Sequence, residues 1–268
     1  MSKIGIFDSG FGGLTVLKGI RKLLPEYDYI YLGDSARAPY GTRSQEVIYK
    51  FTEQAVEYLF NQGCELIILA CNTASSEALR KIQQEYLVKN HPQKRVLGVV
   101  IPAAEKAVGF EYKKIGVMAT NSTVESGSYI REIKKLDSGT EIIQKPCPLL
   151  VPIIESGEIH KDVLSIVLIN YLDTLKNNRV EAIILGCTHY EIILDEIKKH
   201  AGNIKIIEQS PVVAEKLKDY LKRHPEIEKK LSKNRSVDYL STDITSRFEI
   251  FAEKILGEKI KVKRVELE

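Results

Sequence analysis

Short unbroken apolar runs alternate along this chain with stretches whose apolar residues recur every three or four positions. The runs are Ile4–Phe7, Tyr29–Leu32, Leu66–Leu69, Arg95–Ile101, Ile115–Met118, Ile142–Lys145, Ala182–Leu185, Ile204–Glu208, Val237–Leu240 and Ile260–Val265. An uninterrupted run bounded by turn residues reads as a strand buried on both faces of a parallel sheet. Between the runs, Leu14, Leu17, Ile20 and Leu24 share one helix face, and that helix stops at Pro25. Val47, Phe51, Ala55 and Tyr58 mark a second helix, which Thr42 and Gln45 would open as a capping box and Gly63 would close. Further helices are expected over Ala74–Leu87, Asp162–Lys176, Tyr190–His200 and Thr245–Leu256, and one to Arg223 with Ser210-Pro211 as its N-cap and first turn. Strand and helix alternate throughout, which predicts an α/β fold with mainly parallel sheets.

The pattern restarts near the middle. Ile115-Gly116-Val117-Met118-Ala119-Thr120 echoes Ile4-Gly5-Ile6-Phe7-Asp8-Ser9, an offset of 115 − 4 = 111. Leu-Ile-Ile-Leu-Ala-Cys71-Asn72-Thr73 is matched by Ala-Ile-Ile-Leu-Gly-Cys187-Thr188-His189, with 187 − 71 = 116. Two landmarks with nearly equal offsets point to an internal duplication. Two such units would set two strand-end faces opposite one another with a pocket between them.

Composition narrows the function. Lys and Arg total 39 against 36 Asp and Glu, a net charge of +3. A nucleic-acid binder would concentrate basic residues on one face. The densest basic stretch, 216–235, is interrupted by Asp219, Glu226 and Glu228 and reads as a solvated helix face. Four cysteines, Cys64, Cys71, Cys147 and Cys187, form no C-x-x-C pair and no zinc spacing. The absence of a disulfide framework suits a reducing cytosol. The N-terminus reaches a charge before a signal-like apolar region can form, and no run is long enough to span a membrane. These features together predict a soluble cytoplasmic protein.

The chemistry collects at strand ends, where open α/β sheets bind ligands. Asp8-Ser9-Gly10-Phe11-Gly12-Gly13 follows the first strand. Its glycines allow a tight turn and close approach to a ligand, and the N–H groups of the following helix favour an anion. A dinucleotide is the obvious rival. G-x-G-G is not G-x-G-x-x-G, no Walker lysine follows, and a carboxylate at Asp8 would repel a phosphate. Asp8 suits proton transfer better, or plain helix capping. Pro39-Tyr40-Gly41 is a turn at a second strand-helix junction and a candidate pocket wall.

Cys71 and Cys187 occupy matched strand-end positions just before expected helix starts. A helix dipole there stabilises a thiolate, and a modest drop from the ordinary value of about 8.5 makes such a thiol a usable base near neutrality. Two acid/base groups on opposite faces of a carbon can invert it: one removes a proton and the other delivers one. His189, two residues beyond Cys187, is placed to polarise that thiol or pass protons. A nucleophilic hydrolase would need one Cys and a His, which leaves Cys71 unexplained. Cys64 and Cys147 read as small apolar core residues.

Four motifs in order, Asp8 to Gly13, Pro39-Tyr40-Gly41, Ala70-Cys71-Asn72-Thr73-Ala74 and Gly186-Cys187-Thr188-His189-Tyr190, resemble the glutamate racemases of the aspartate/glutamate racemase family. The resemblance runs from residue 4 to about 211. It implies two pseudo-symmetric flavodoxin-like α/β domains, 1–95 plus 208–268 and 96–207, with the active site in the cleft between them. It implies cofactor-independent interconversion of L- and D-glutamate, supplying D-glutamate for bacterial peptidoglycan. By the same likeness Cys71 and Cys187 are the acid/base pair, with Asp8 and His189 as their respective assistants. Ser9, Pro39, Tyr40, Gly41, Asn72, Thr73, Thr120, Thr123 and Thr188 would bind substrate, and Asp34 and Glu155 would lie near the site. The cysteine spacing argues against a metal, and since dimer arrangements in the family vary, a homodimer stays open.

Other readings make different demands. An aspartate racemase shares the general plan, but the His after the second Cys-Thr and the Asp8 loop favour glutamate. A Cys/His amidase would depend on Cys187 and not on Cys71. A nucleotide-binding module would bind ATP or NAD without turnover. A pyridoxal-phosphate racemase would need a strand-end lysine, and none presents itself.

Overall fold

The computed structural model describes residues 2–159 and 162–267. Among the described residues, ten strands form two wholly parallel sheets. They are β1 (Lys3–Asp8), β2 (Tyr29–Gly33), β3 (Cys64–Leu69), β4 (Arg95–Gly98), β5 (Lys114–Ala119), β6 (Glu141–Pro146), β7 (Ala182–Gly186), β8 (Lys205–Ile207), β9 (Val237–Ser241) and β10 (Val262–Arg264). The six-stranded sheet has the order β10-β9-β2-β1-β3-β4, and the four-stranded sheet β6-β5-β7-β8. The expected boundary between residues 95 and 96 therefore falls at the start of β4, whose pairing with β3 places it in the first sheet.

The second sheet repeats the order of the first: β2-β1-β3-β4 matches β6-β5-β7-β8. The register repeats as well. Gly5 lies opposite Ile67 and Gly116 opposite Ile183, so 116 − 5 = 111 and 183 − 67 = 116, the two offsets read from the sequence. The paired glycines have a shared packing reason. A Cβ on Gly5 would come 3.1 Å from Ile67 Cγ1, and one on Gly116 would come 3.3 Å from Ile183 Cγ1. In each half the glycine leaves room over the central strand for side chains of the neighbouring strand and of a covering helix, Ile67 and Leu59 at Gly5 and Ile183 and Leu175 at Gly116. β9 and β10 extend the β2 edge of the first sheet and have no counterpart in the second.

β1, β2, β3 and β7 are almost wholly buried, which is why their sequences run apolar without alternation. One apolar cluster spans both sheets, from Ile4, Ile6 and Tyr31 to Leu172, Ile183 and Leu185. Burying apolar surface contributes about 25 cal/mol per Å² removed from water, so a cluster of that reach ties the halves together.

Several helix boundaries differ from the sequence reading. Helix 45–61 is capped by Ser44, whose Oγ accepts from Val47 N at 3.4 Å; the Thr42–Gln45 box does not form because Thr42 closes a 3-10 turn, Tyr40–Thr42. The strand expected to Ile101 ends at Gly98, and Val100–Val108 is helix with Pro102 in its first turn, where proline costs no hydrogen bond. The helix after Cys71 begins at Asn72 and its turns continue to Asn90 through a π-helical segment, Ile82–Tyr86. The helix expected from Tyr190 starts at Leu194, after a 3-10 segment, Thr188–Ile193. Helix 209–223 opens at Gln209, ahead of Ser210-Pro211, because its first N–H groups are held by the Glu191 carboxylate instead of a serine cap. Within the basic stretch, Lys216 pairs with Glu105 at 2.8 Å and Arg223 with Asp219 at 2.8 Å, both at the surface. Among the described residues no helix is long and apolar enough to cross a membrane.

Candidate active site

The carboxyl ends of β1, β3, β5 and β7 converge on a cavity of about 80 Å³ between the sheets. Its wall includes Ser9, Pro39, Tyr40, Gly41, Cys71, Asn72, Thr73, Thr120, Glu155, Cys187, Thr188 and His189. Asp8, Thr123 and Asp34 stand behind that wall. Both cysteines proposed from the strand-end pattern thus reach one space, from opposite sheets.

Around Cys71 the electrostatics differ from expectation. Cys71 is 5% exposed and sits at the N-cap of the helix from Asn72. Burial nevertheless dominates and pushes its thiol up to about 12; the nearby Asp8 charge adds to this, while a hydrogen bond to Ser9 opposes it. Its Sγ donates to Ser9 Oγ at 3.4 Å. The helix dipole does not win here, so Cys71 is a proton-bearing thiol.

Asp8 explains the glycine-rich loop. Its fully buried carboxylate accepts from Gly10 N at 3.0 Å and from Thr188 Oγ1 at 3.2 Å. The anion held by the loop is therefore the protein's own. Burial raises the Asp8 pKa above the ordinary carboxyl value, opposed by the charge of His189 and by hydrogen bonds from Gly13, Gly10 and Thr188. The glycines make room for site residues. A Cβ on Gly12 would come 2.6 Å from Thr188 Oγ1 and 2.7 Å from His189 Nδ1, and one on Gly13 would come 2.5 Å from Asp8 Cβ.

Cys187 is followed by 3-10 geometry, so the expected α-helix dipole is missing; its neighbour supplies the electrostatics instead. His189 Nδ1 lies 3.9 Å from Cys187 Sγ, and its Nε2 lies 3.0 Å from Glu155 Oε1. Burial opposes a charged imidazole, but the hydrogen bonds with Cys187 and Glu155 outweigh it and push His189 up to about 10. His189 is then an imidazolium at neutral pH, able to exchange a proton with Cys187. Phe11 packs against the imidazole at 5.1 Å and stacks on Phe251 at 4.7 Å, which holds the ring from behind.

That shift makes a stability prediction. A folded-state pKa near 10 against an ordinary 6.5 means His189 adds stability that is fully present below pH 6.5 and gone once the pH passes about 10. The gap in urea midpoint between the wild type and His189→Asn is expected to narrow steadily across that window. A gap that stays constant with pH would contradict the ion-paired assignment.

The remaining residues hold the wall. Asp34 accepts from Tyr40 OH, from Arg37 Nε at 2.6 Å and from Thr242 Oγ1 at 2.9 Å, so it anchors the Pro39-Tyr40-Gly41 turn from outside the cavity. Thr73 Oγ1 lies 3.0 Å from Thr120 Oγ1, which donates to Thr123 Oγ1 at 3.0 Å, linking one half to the other by hydroxyls. Gly41 lets the turn approach Thr120, where a Cβ would fall 2.7 Å away. Cys64 is core, whereas Cys147, read as core, is both fully buried and part of the cavity wall. Sequence reasoning missed Gln209 and Tyr129, which bond to Asn72. The available signal for Gln209 was a polar residue two positions past the end of β8, the fourth strand of the repeat.

Two buried thiols lining one cavity from repeated parallel sheets, with an acid or imidazole near each, define an acid/base isomerase. The chain belongs to the Asp/Glu/hydantoin racemase family, whose model matches residues 11–217. It is 38% identical over 262 residues to the glutamate racemase of Aquifex aeolicus, covering 97% of this chain and 96% of that one. Its structure is similar to that of the Francisella tularensis glutamate racemase in complex with D-glutamate, with a TM-score of 0.89, 34% identity and coverage of 100% and 98%. A Bacillus anthracis glutamate racemase gives a TM-score of 0.90 at 33% identity, covering 99% and 98%. These matches share the α/β fold with two parallel sheets expected from the sequence.

Proposed function

We propose that this protein is a glutamate racemase working by two-base proton transfer at Cα, with Cys71 and Cys187 as the acid/base pair. The reading rests on one observation above all. Two cysteines from equivalent strand ends of a duplicated fold line the same cavity, in a chain similar over its length to glutamate racemases. Its product, D-glutamate, serves peptidoglycan synthesis.

One sulfur enters as thiolate and takes the Cα proton. The carbanion takes a proton from the other thiol on the opposite face. The first sulfur ends as thiol and the second as thiolate, so the reverse reaction swaps their roles. His189 would adjust protonation at Cys187, and Asp8 the electrostatics at Cys71. The hydroxyls and amide of Ser9, Asn72, Thr73, Thr120, Thr123 and Thr188, with backbone N–H groups, would hold the substrate's charged groups; Tyr40 and Gly41 would complete the wall.

Among the described lining residues there is no Lys or Arg. A permanent cation beside the sulfurs, unlike the His189 imidazolium, which can pass its proton on, would over-stabilise a thiolate and weaken it as a base. Ser9→Lys is therefore expected to lower turnover by about tenfold or more. Undiminished turnover in a coupled D-glutamate assay would count against this account of a site lined without Lys or Arg.

The experiment that tests the function follows L-glutamate by proton NMR in D₂O with the purified protein alone. Loss of the Cα–H signal together with formation of D-glutamate is expected. Exchange with aspartate but not glutamate would reassign the substrate, and no exchange with either would overturn the function.

A further inference from the structure

Behind the cavity wall lies a buried polar cluster made by three elements. Asn72 opens the helix after Cys71, Tyr129 lies on helix 128–136 of the second half, and Gln209 is the first residue of helix 209–223. All three are nearly inaccessible, at 2%, 0% and 1% exposure. Asn72 Nδ2 donates to Gln209 Oε1 at 2.6 Å. Asn72 Oδ1 accepts from Gln209 Nε2 at 2.8 Å and from Tyr129 OH at 2.7 Å. Gln209 Nε2 also reaches Tyr129 OH at 2.6 Å.

Hydrogen-bond capacity then decides what Asn72 can do. Its carbonyl oxygen has two lone pairs, and both are taken. Its amide nitrogen has two hydrogens, and Gln209 takes one. What remains is a single N–H donor on a residue that lines the cavity. Asn72 can therefore meet an acceptor there but not a second donor.

Gln209 has a further role. Its backbone N–H, with that of Ser210, is held by Glu191 Oε1, two residues beyond His189 in the same 3-10 segment. Its side chain thus grips the Cys71 side while its backbone is fixed to the Cys187 side. Side-chain networks of this kind are costly when only partly satisfied, so one orientation is enforced.

We propose that Gln209 is a positioning residue for the racemisation: with Tyr129 it locks the Asn72 amide so that only an N–H is offered to the cavity, which makes Asn72 a receptor for a substrate carboxylate. The inference rests on the glutamate racemase reading given above. Gln209 touches no reacting atom; it acts through Asn72.

The test compares kcat and KM in both directions for the wild type, Gln209→Met, Asn72→Ala and the double variant. Wild-type turnover reports on the function itself. Given that turnover, Gln209→Met is expected to raise KM for both enantiomers by about tenfold, the scale of one hydrogen bond to a charged group, with kcat within roughly threefold. In the Asn72→Ala background the same substitution should add no further rise, since the residue it positions is gone. An unchanged KM, a loss confined to kcat, or an equal KM effect in both backgrounds overturns the proposal. If Gln209→Met does not fold, Tyr129→Phe carries the test. It frees one lone pair of Asn72 Oδ1, and a KM rise of roughly threefold supports the locked amide whereas none refutes it.

Discussion

Replacing either Cys71 or Cys187 with serine is expected to cut racemisation by roughly 10³-fold or more, at the upper end of what one positioned acid/base group supplies. Serine nearly keeps the volume of a side chain packed in a wall only 5% and 7% exposed, so the fold should survive. The hydroxyl is far too weak an acid to replace the thiol. The loss should have a signature. With one thiol intact, a proton can still leave and return on the same face. Each variant should therefore exchange the Cα–H of one enantiomer for deuterium without inverting it, and the two variants should prefer opposite enantiomers. Chiral chromatography with mass detection after incubation in D₂O reads both outcomes. If Cys71→Ser racemised as the wild type does, the two-base assignment would be lost, and a chemistry resting on Cys187 and His189 would take its place.

Gly12→Ala is expected to lower kcat by about 10²-fold although it alters no group with acid/base chemistry. The new methyl carbon would fall 2.6 Å from Thr188 Oγ1 and 2.7 Å from His189 Nδ1, well inside contact distance. Neither neighbour can yield freely. Thr188 Oγ1 is committed to Asp8 at 3.2 Å, and His189 to Glu155 at 3.0 Å with Phe11 against its face. Displacement on the scale of an ångström is enough to cost two orders of magnitude in a site that depends on alignment. Steady-state kinetics checks the rate, and circular dichroism checks that the fold persists. Wild-type kcat in a folded Gly12→Ala protein would show that the loop is not what sets the His189 position.

Much of this was legible in the chain itself. The buried strands could be read because burial on both faces removes the polar alternation that would otherwise mask them. The duplication could be read because offsets of 111 and 116 survive in short apolar strands, and the paired register reproduces both. Cys71 and Cys187 stood out because a strand end in a parallel sheet is where the backbone turns and side chains face a crevice.

What tertiary structure alone decided is what depends on groups distant in sequence. The Thr42–Gln45 box lost to Ser44 because the preceding turn is held elsewhere, through Tyr40 and Asp34. The dipole expected at Cys71 lost to desolvation, since a thiol's charge is set by everything packed around it and not by the next turn alone. At Cys187 the helix start was absent, and the electrostatics came from His189 and from Glu155, which is 34 residues from that histidine in the chain. Gln209 joined the site through an amide 137 residues away, a pairing no local pattern announces. Local sequence determined which strands exist and which thiols end them. Only packing, which brings the two repeated sheets face to face, determined that the Cys71 thiol keeps its proton and what surrounds Cys187.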